Sequence, residues 1–157
     1  MIEKLRQLKA TGRFSEVNTL IPYTQFVGLE VIEIGGEVFS VMRQRDSNIG
    51  NPRIPAIHGG VVGAALEHAA IVELLYAADL NEMPRIINIT IDFLRPVLNE
   101  DLWLKASIVR RGRRIANLRC EGWQASRTKL VAASHANFKL ASVPEDPPPG
   151  PPKNSSQ

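Results

Sequence analysis

The chain has 157 residues and a single cysteine, Cys120, which excludes an intrachain disulfide and fits a reducing, cytoplasmic compartment. Its three histidines, His58, His68 and His135, are scattered. With one cysteine they give no zinc spacing, so neither a metal nor an organic cofactor is expected. No stretch approaches the ~20 apolar residues of a membrane span. The opening Met1-Ile2-Glu3-Lys4-Leu5-Arg6 is amphipathic and lacks the apolar core of a signal peptide. Charge of one sign is also scarce: the formal net charge of +3 suits an anionic ligand but is too small to argue for nucleic acid. What remains, with 44% hydrophobic and 22% charged residues, is the profile of one soluble globular domain.

Residues 1–20 read as an N-terminal helical segment broken near Thr11-Gly12, with Ser15 as the N-cap of its second part. Leu20-Ile21-Pro22 ends it, and a short apolar stretch, Tyr23 to Val27, follows. Gly28 to Ile34 and Glu37 to Arg45 read as strands joined at Gly35-Gly36. Asp46 to Ile57 holds Asn48, Gly50, Asn51, Pro52 and Pro55 and reads as a loop without regular structure. From His58 to about Asp79 runs one long helix, apolar on nearly every face and rich in small residues. This marks a helix enclosed by other structure. In Arg85 to Arg95, Ile87, Ile89, Ile91 and Phe93 alternate with Asn88, Thr90 and Asp92. Asp101 to Arg110, Arg114 to Ser126 and Lys129 to Leu140 complete a run of antiparallel strands. The proline-rich tail, 143–157, reads as disordered. Segregated helix and strands predict an α+β fold with the sheet wrapped on the helix, placed in residues 21–142.

Two features of the long helix point to chemistry. Glu67 has Gly63, Ala64, Ala70 and Ile71 as its neighbours three and four positions away, so it sits on an apolar face. A carboxylate there needs a partner, a raised pKa or a cavity; a buried salt bridge is the bland alternative. Ahead of it, His58-Gly59-Gly60 opens the helix. The glycines let another molecule approach the backbone, and the free N–H groups at a helix start suit an oxyanion. Loop punctuation is the bland reading of the glycines, and helix capping that of His58. Gly59 and Glu67 are ~12 Å apart along the helix axis, too far for one small reacting group to touch both. If both act on one substrate, two chains must lay their helices antiparallel, each site combining Gly59 of one with Glu67 of the other.

The run from His58 to Ala70, with an acidic residue nine positions after the histidine, resembles the helix signature of the PaaI-like acyl-CoA thioesterases. Ile89 to Pro96, ending Leu94-Arg95-Pro96, resembles the central strand of that family, and the hairpin carrying Arg110 to Arg114 also fits. The resemblance covers roughly residues 20 to 140. It implies a hotdog fold, a long central helix wrapped by a curved antiparallel sheet, and hydrolysis of an acyl-CoA thioester without a cofactor. It implies a homodimer, required for the site, and often a homotetramer. Gly59 matches the oxyanion amide, Glu67 the catalytic acid, acting as general base or nucleophile, His58 the residue that orders the loop, and Asn48 an asparagine that positions substrate. Gly60 is expected beside the substrate.

Where the family often carries Ser or Thr to hold the attacking water, this chain has Ile86; Asn88 and Thr90 are expected on the same strand face as polar substitutes. Arg110, Arg111 and Arg113 are candidates for clamping the CoA phosphates, since guanidinium pairs phosphate bidentately, against the simpler reading of a solvated hairpin tip. Tyr23, Phe26, Phe93 and Trp103 are candidates for lining the acyl pocket. The alternatives are a non-catalytic acyl-CoA-binding subunit, favoured by Ile86, and a hotdog dehydratase or hydratase.

Overall fold

Glycine–glycine turns, a proline at a helix start and one long apolar segment decide the path of the chain. A computed structural model describes residues 1–140; the proline-rich tail expected to be disordered lies outside the described residues. Helix α1 (Ile2–Ala10) turns Leu5 and Leu8 inward. A 3₁₀ helix, Phe14–Leu20, follows. Its N-cap is Arg13 and not Ser15: starting at Phe14 puts Phe14 and Val17 on one inward face, and Arg13 closes the turn by pairing with Glu16. The apolar stretch after Pro22 is itself helical. Helix α2 (Pro22–Val27) begins on a proline, whose fixed φ suits the first helical position, and ends on Gly28 at φ +78°.

Strands β1 (Leu29–Ile34) and β2 (Glu37–Met42) form the predicted hairpin. Gly35 and Gly36 both have positive φ, as a two-residue hairpin turn requires. The expected loop at Asp46 to Ile57 contains regular structure after all. A 3₁₀ turn at Asp46–Asn48 leads into β3 (Ile49–Asn51), which pairs with β4 (Ala56–Ile57) in a small two-stranded ladder. Helix α3 (Gly59–Ala77) then crosses the centre. By length and composition alone it is long and apolar enough to cross a membrane, which the sequence reading did not anticipate. Here it is a core helix: Val62, Ala65, Leu66, Ala69, Ala70 and Leu74 are buried on several of its sides.

Strands β5 (Arg85–Phe93), β6 (Leu102–Arg111), β7 (Ile115–Trp123) and β8 (Leu130–Lys139) complete a six-stranded antiparallel sheet ordered β1-β2-β6-β7-β8-β5. One core joins this sheet to α3 and also takes in Leu5, Phe14 and Val17. The N-terminal segment is tied to the far end of α3. Lys9 Nζ donates to the carbonyls of Leu75 and Ala78, where the helix leaves acceptors open, and Arg6 pairs with Asp79.

The alternation predicted for β5 is broken. The register slips between Ile86 and Asn88, leaving Ile87 as a bulge. Ile86, paired with buried Phe138, packs on the core with Ile89 and Ile91, whereas Ile87 is exposed. Asn88 pairs with Asn137 and Thr90 with His135, so both lie on the opposite face from Ile86. The expected polar substitutes are therefore not on its face, because one unpaired residue inverts the alternation.

Candidate active site

The start of α3 is assembled by hydrogen bonds that account for nearly every amide there. His58 is the N-cap: its Nδ1 accepts from the Gly60 N–H at 3.0 Å, and its carbonyl accepts from the N–H groups of Val61 and Val62. The His58 N–H itself donates to the Asn48 carbonyl at 2.8 Å. A helix start leaves its first N–H groups without intrahelical partners. Here the cap takes up all except that of Gly59, which has no hydrogen-bond acceptor among the described residues. The Gly60 amide, expected to face substrate, is committed to the cap.

Two residues fix this geometry. Asn48 is buried, and its side-chain amide donates to the Val27 carbonyl at 2.9 Å, so its visible role is to anchor the loop that holds His58. Gly50 reads in the sequence only as loop punctuation, although a glycine ahead of two prolines and a histidine cap is a signal for a close backbone approach. A Cβ at Gly50 would lie 2.6 Å from His58 Cα, so only glycine lets β3 pass this close. At Gly59 the nearest side chain is Phe93, and at Gly63 an added Cβ would lie 3.0 Å from Ile91 Cδ1, which sets how closely β5 approaches the helix.

Glu67 lies two turns further along. It is half-buried and forms no hydrogen bond or ion pair among the described residues, and desolvation raises its pKa above the usual carboxylate range. The contrast with Glu73 on the same helix is direct: that carboxylate meets Lys105 Nζ at 2.9 Å, with both side chains largely buried. His68, next to Glu67, is buried and fully engaged. Its Nε2 meets Asn18 Oδ1 at 2.7 Å and its Nδ1 faces Ser40 Oγ at 3.4 Å. Asn18 Nδ2 donates to the Leu29 carbonyl, so Asn18 Oδ1 must accept from His68; the proton sits on Nε2 and the ring is neutral. Burial lowers the pKa of His68 to about 4.

Gly59 and Glu67 open onto different cavities of the chain. The Gly59 cleft, about 410 Å³, is walled by Ile54, Ile57, Val62, Phe93, Leu94 and Arg95 among others. The Glu67 cavity, about 230 Å³, is walled by Ile21, Tyr23, Leu29, Ala64 and Ile71, with Thr24 and His68 at its base. Of the four aromatic candidates, Tyr23 and Phe93 line these cavities. Phe26 is exposed beside Tyr23, and Trp103 packs against Phe39, and neither lines these two cavities.

Arg111 and Arg113 line a third cavity, about 560 Å³, with Gly112, Asp79, Leu80 and Asn81 at the C-terminal end of α3. Arg110 is exposed on β6, opposite Asn117. Asn88 accepts from Asn137 on the sheet face opposite Ile86 and lines none of these cavities. No cluster of metal-ligating side chains occurs among the described residues.

The acyl-CoA thioesterase N-terminal domain family matches residues 50–138, more than half of the chain, and spans α3 and β5 to β8. No curated protein matches the chain. Solved structures do. A Chromobacterium violaceum protein shares 28% identity over 90% of this chain and 98% of its own, with a TM-score of 0.74. The phenylacetic acid degradation protein PaaI of Thermus thermophilus shares 21% identity over 76% of this chain and 99% of its own (TM-score 0.65). A Haemophilus influenzae thioesterase shares 22% over 82% and 90% (TM-score 0.69). The latter two likenesses carry the fold: a six-stranded antiparallel sheet on one long helix. With the wrapped helix, the open amide at its start and the family match over both, this chain belongs to the acyl-CoA thioesterase family of the hotdog-fold superfamily.

Proposed function

We propose that the protein hydrolyses an acyl-CoA thioester to the free acid and CoA, at a site shared by two copies of the chain. The observation that carries this reading is a pair of groups on α3 that are unsatisfied among the described residues: a carboxylate without a partner and a helix-start amide without an acceptor. They face separate cavities of one chain, and ~12 Å of helix lies between them. Both meet one substrate only if the α3 helices of two copies run antiparallel. Of the two sheet edges, β1 and β5, the one beside the start of α3 is β5, which carries exposed Ile87 and Phe93.

In the proposed reaction the thioester carbonyl accepts the Gly59 N–H of one copy, reinforced by the helix dipole. A donor of this kind contributes about 3–4 kcal/mol to the transition state. Glu67 of the other copy takes a proton from water as its oxygen bonds to the carbonyl carbon. The tetrahedral intermediate collapses, the C–S bond breaks, and the CoA thiolate takes the proton back from Glu67. The raised pKa of Glu67 favours the general-base role, because a base is most effective when its pKa approaches the working pH. His58 holds the Gly59 turn, and Asn48 holds His58. Arg110, Arg111 and Arg113 are the cations we assign to the CoA phosphates. Arg111 and Arg113 lie at the C-terminal end of the helix, with Arg110 next to them on β6, and would reach the nucleotide from a neighbouring copy. A dehydratase or hydratase reading would need a titrating histidine, and His68 has both ring nitrogens engaged.

The test is CoA release from acyl-CoAs of graded length by wild type and Glu67→Ala. Release by the wild type, lowered ~100-fold or more in the variant, is expected for loss of a general base. An unchanged rate in Glu67→Ala would remove Glu67 from the mechanism. CoA binding with no release would make the protein a binding subunit.

A further inference from the structure

We propose that the cavity beside Glu67 is the acyl pocket and that Ile21 and Tyr23 limit it to apolar acyl groups of up to about nine carbons. This rests on the reading of Glu67 above in taking an acyl-CoA as the ligand. An acyl-CoA has an apolar tail, a thioester, and a CoA portion made of amides and phosphates. The tail suits this cavity best, since beside Glu67 its lining is Ile21, Leu29, Ala64, Ile71 and the ring of Tyr23. The polar groups at its base are already spent. The Thr24 hydroxyl lies 2.9 and 2.7 Å from the carbonyls of Asn18 and Ile21, and His68 is held between Ser40 and Asn18. A pantetheine amide placed there would lose its water and find only Glu67, the group the reaction needs free. The Gly59 cleft, by contrast, has Arg95 and an open backbone amide at its wall and suits the polar side of the thioester.

Size sets the limit. An apolar cavity of about 150 Å³ accommodates benzene, six heavy atoms. By proportion, the 230 Å³ here accommodates about nine. Leu29, Thr24 and His68 on the lining are themselves buried, so the room for a tail ends at this volume, and Ile21 and Tyr23 bound it on the side facing α3. The wall opposite α3 comes from the residue before α2 and from its first turn. This wall is held in place by the Thr24 bonds and by the Gly28 cap. It lies outside the family match, which begins at residue 50. One side of the pocket, carrying Ile21 and Tyr23, therefore comes from the part of the chain that precedes the matched region, and the other, with Ala64, from within it.

The experiment is a binding series of butanoyl-, hexanoyl-, octanoyl-, decanoyl- and hexadecanoyl-CoA by calorimetry on full-length Glu67→Gln. It is repeated with Tyr23→Ala or Ala64→Leu added, alongside CoA release by the corresponding chains with Glu67 intact. Affinity is expected to rise about fourfold per methylene while each is buried, then to stop rising near eight or nine carbons. Tyr23→Ala is expected to move that break to longer chains by about two carbons, and Ala64→Leu to move it to shorter ones. Tyr23 is half exposed, so its truncation leaves the core intact even if the leucine is not accommodated. A break at one common length in all chains, or affinity that climbs steadily to hexadecanoyl, would overturn the proposal. Shifting breaks without CoA release would uphold the pocket and remove the hydrolysis; CoA release with a common break would do the reverse.

Discussion

Glu67 and His68 are adjacent, and burial acts on them in opposite directions. Glu67 is desolvated and has no partner among the described residues, so its folded pKa lies above its unfolded one. Its contribution to stability is full below the unfolded pKa and is lost as pH rises through the folded pKa. At neutral pH the charged form therefore costs stability, and Glu67→Gln, which keeps the shape without the charge, is expected to raise the urea midpoint at pH 7 while abolishing CoA release. A lower midpoint would mean that Glu67 has a stabilising partner. His68 is neutral in the fold, with its pKa moved from 6.5 to about 4. The unfolded chain binds the extra proton between those values, so stability is full above about pH 6.5 and falls by about 3 kcal/mol as pH drops toward 4. Urea unfolding from pH 7 to 4 should show this slope in the wild type and a shallower one in His68→Leu. Equal slopes would assign the acid sensitivity to other groups.

At the scale of elements, the site depends on how closely β3 passes the start of α3. Gly50→Ala places a methyl group 2.6 Å from His58 Cα, so the strand or the cap must move. Overpacking of this kind costs about 1–3 kcal/mol. The expected outcome is a lower melting temperature together with slower CoA release, because His58 positions Gly59; full activity at a lower melting temperature would separate the cap from catalysis. Much of this layout was legible in the sequence. The Gly35-Gly36 turn, the enclosed helix and the strand run after it follow from local chemistry, and Glu67 stands out as a charge among small apolar neighbours. Other features were not legible, because tertiary contacts decide them. The Ile87 bulge arises where β5 meets β8 and inverts the face predicted for Asn88. The 3₁₀ start at Phe14 follows from the need to bury that ring, overriding Ser15 as a cap. The β3–β4 ladder pairs residues whose glycine and prolines read locally as loop. The commitment of Gly60 to His58 depends on the imidazole folding back over its own helix start, a side-chain geometry that local sequence does not encode.

For the whole molecule, the consequence of the proposed mechanism is that one chain alone carries no complete site. Gly59→Pro deletes the open amide with little other change. Proline is tolerated at the first helical position, and His58 already has the extended backbone (φ −60°, ψ 131°) that precedes a proline. Glu67→Gln removes the base. Each variant alone should release almost no CoA. The most direct test is to unfold the two together, refold them at equal amounts, and measure CoA release. Random pairing makes about half of the dimers mixed, and each mixed dimer regains one of its two sites, Gly59 from one chain facing Glu67 from the other, so about a quarter of wild-type activity should return. No recovery, with mixed dimers demonstrably formed, would contradict the shared site and place both groups, if they act at all, within a single chain.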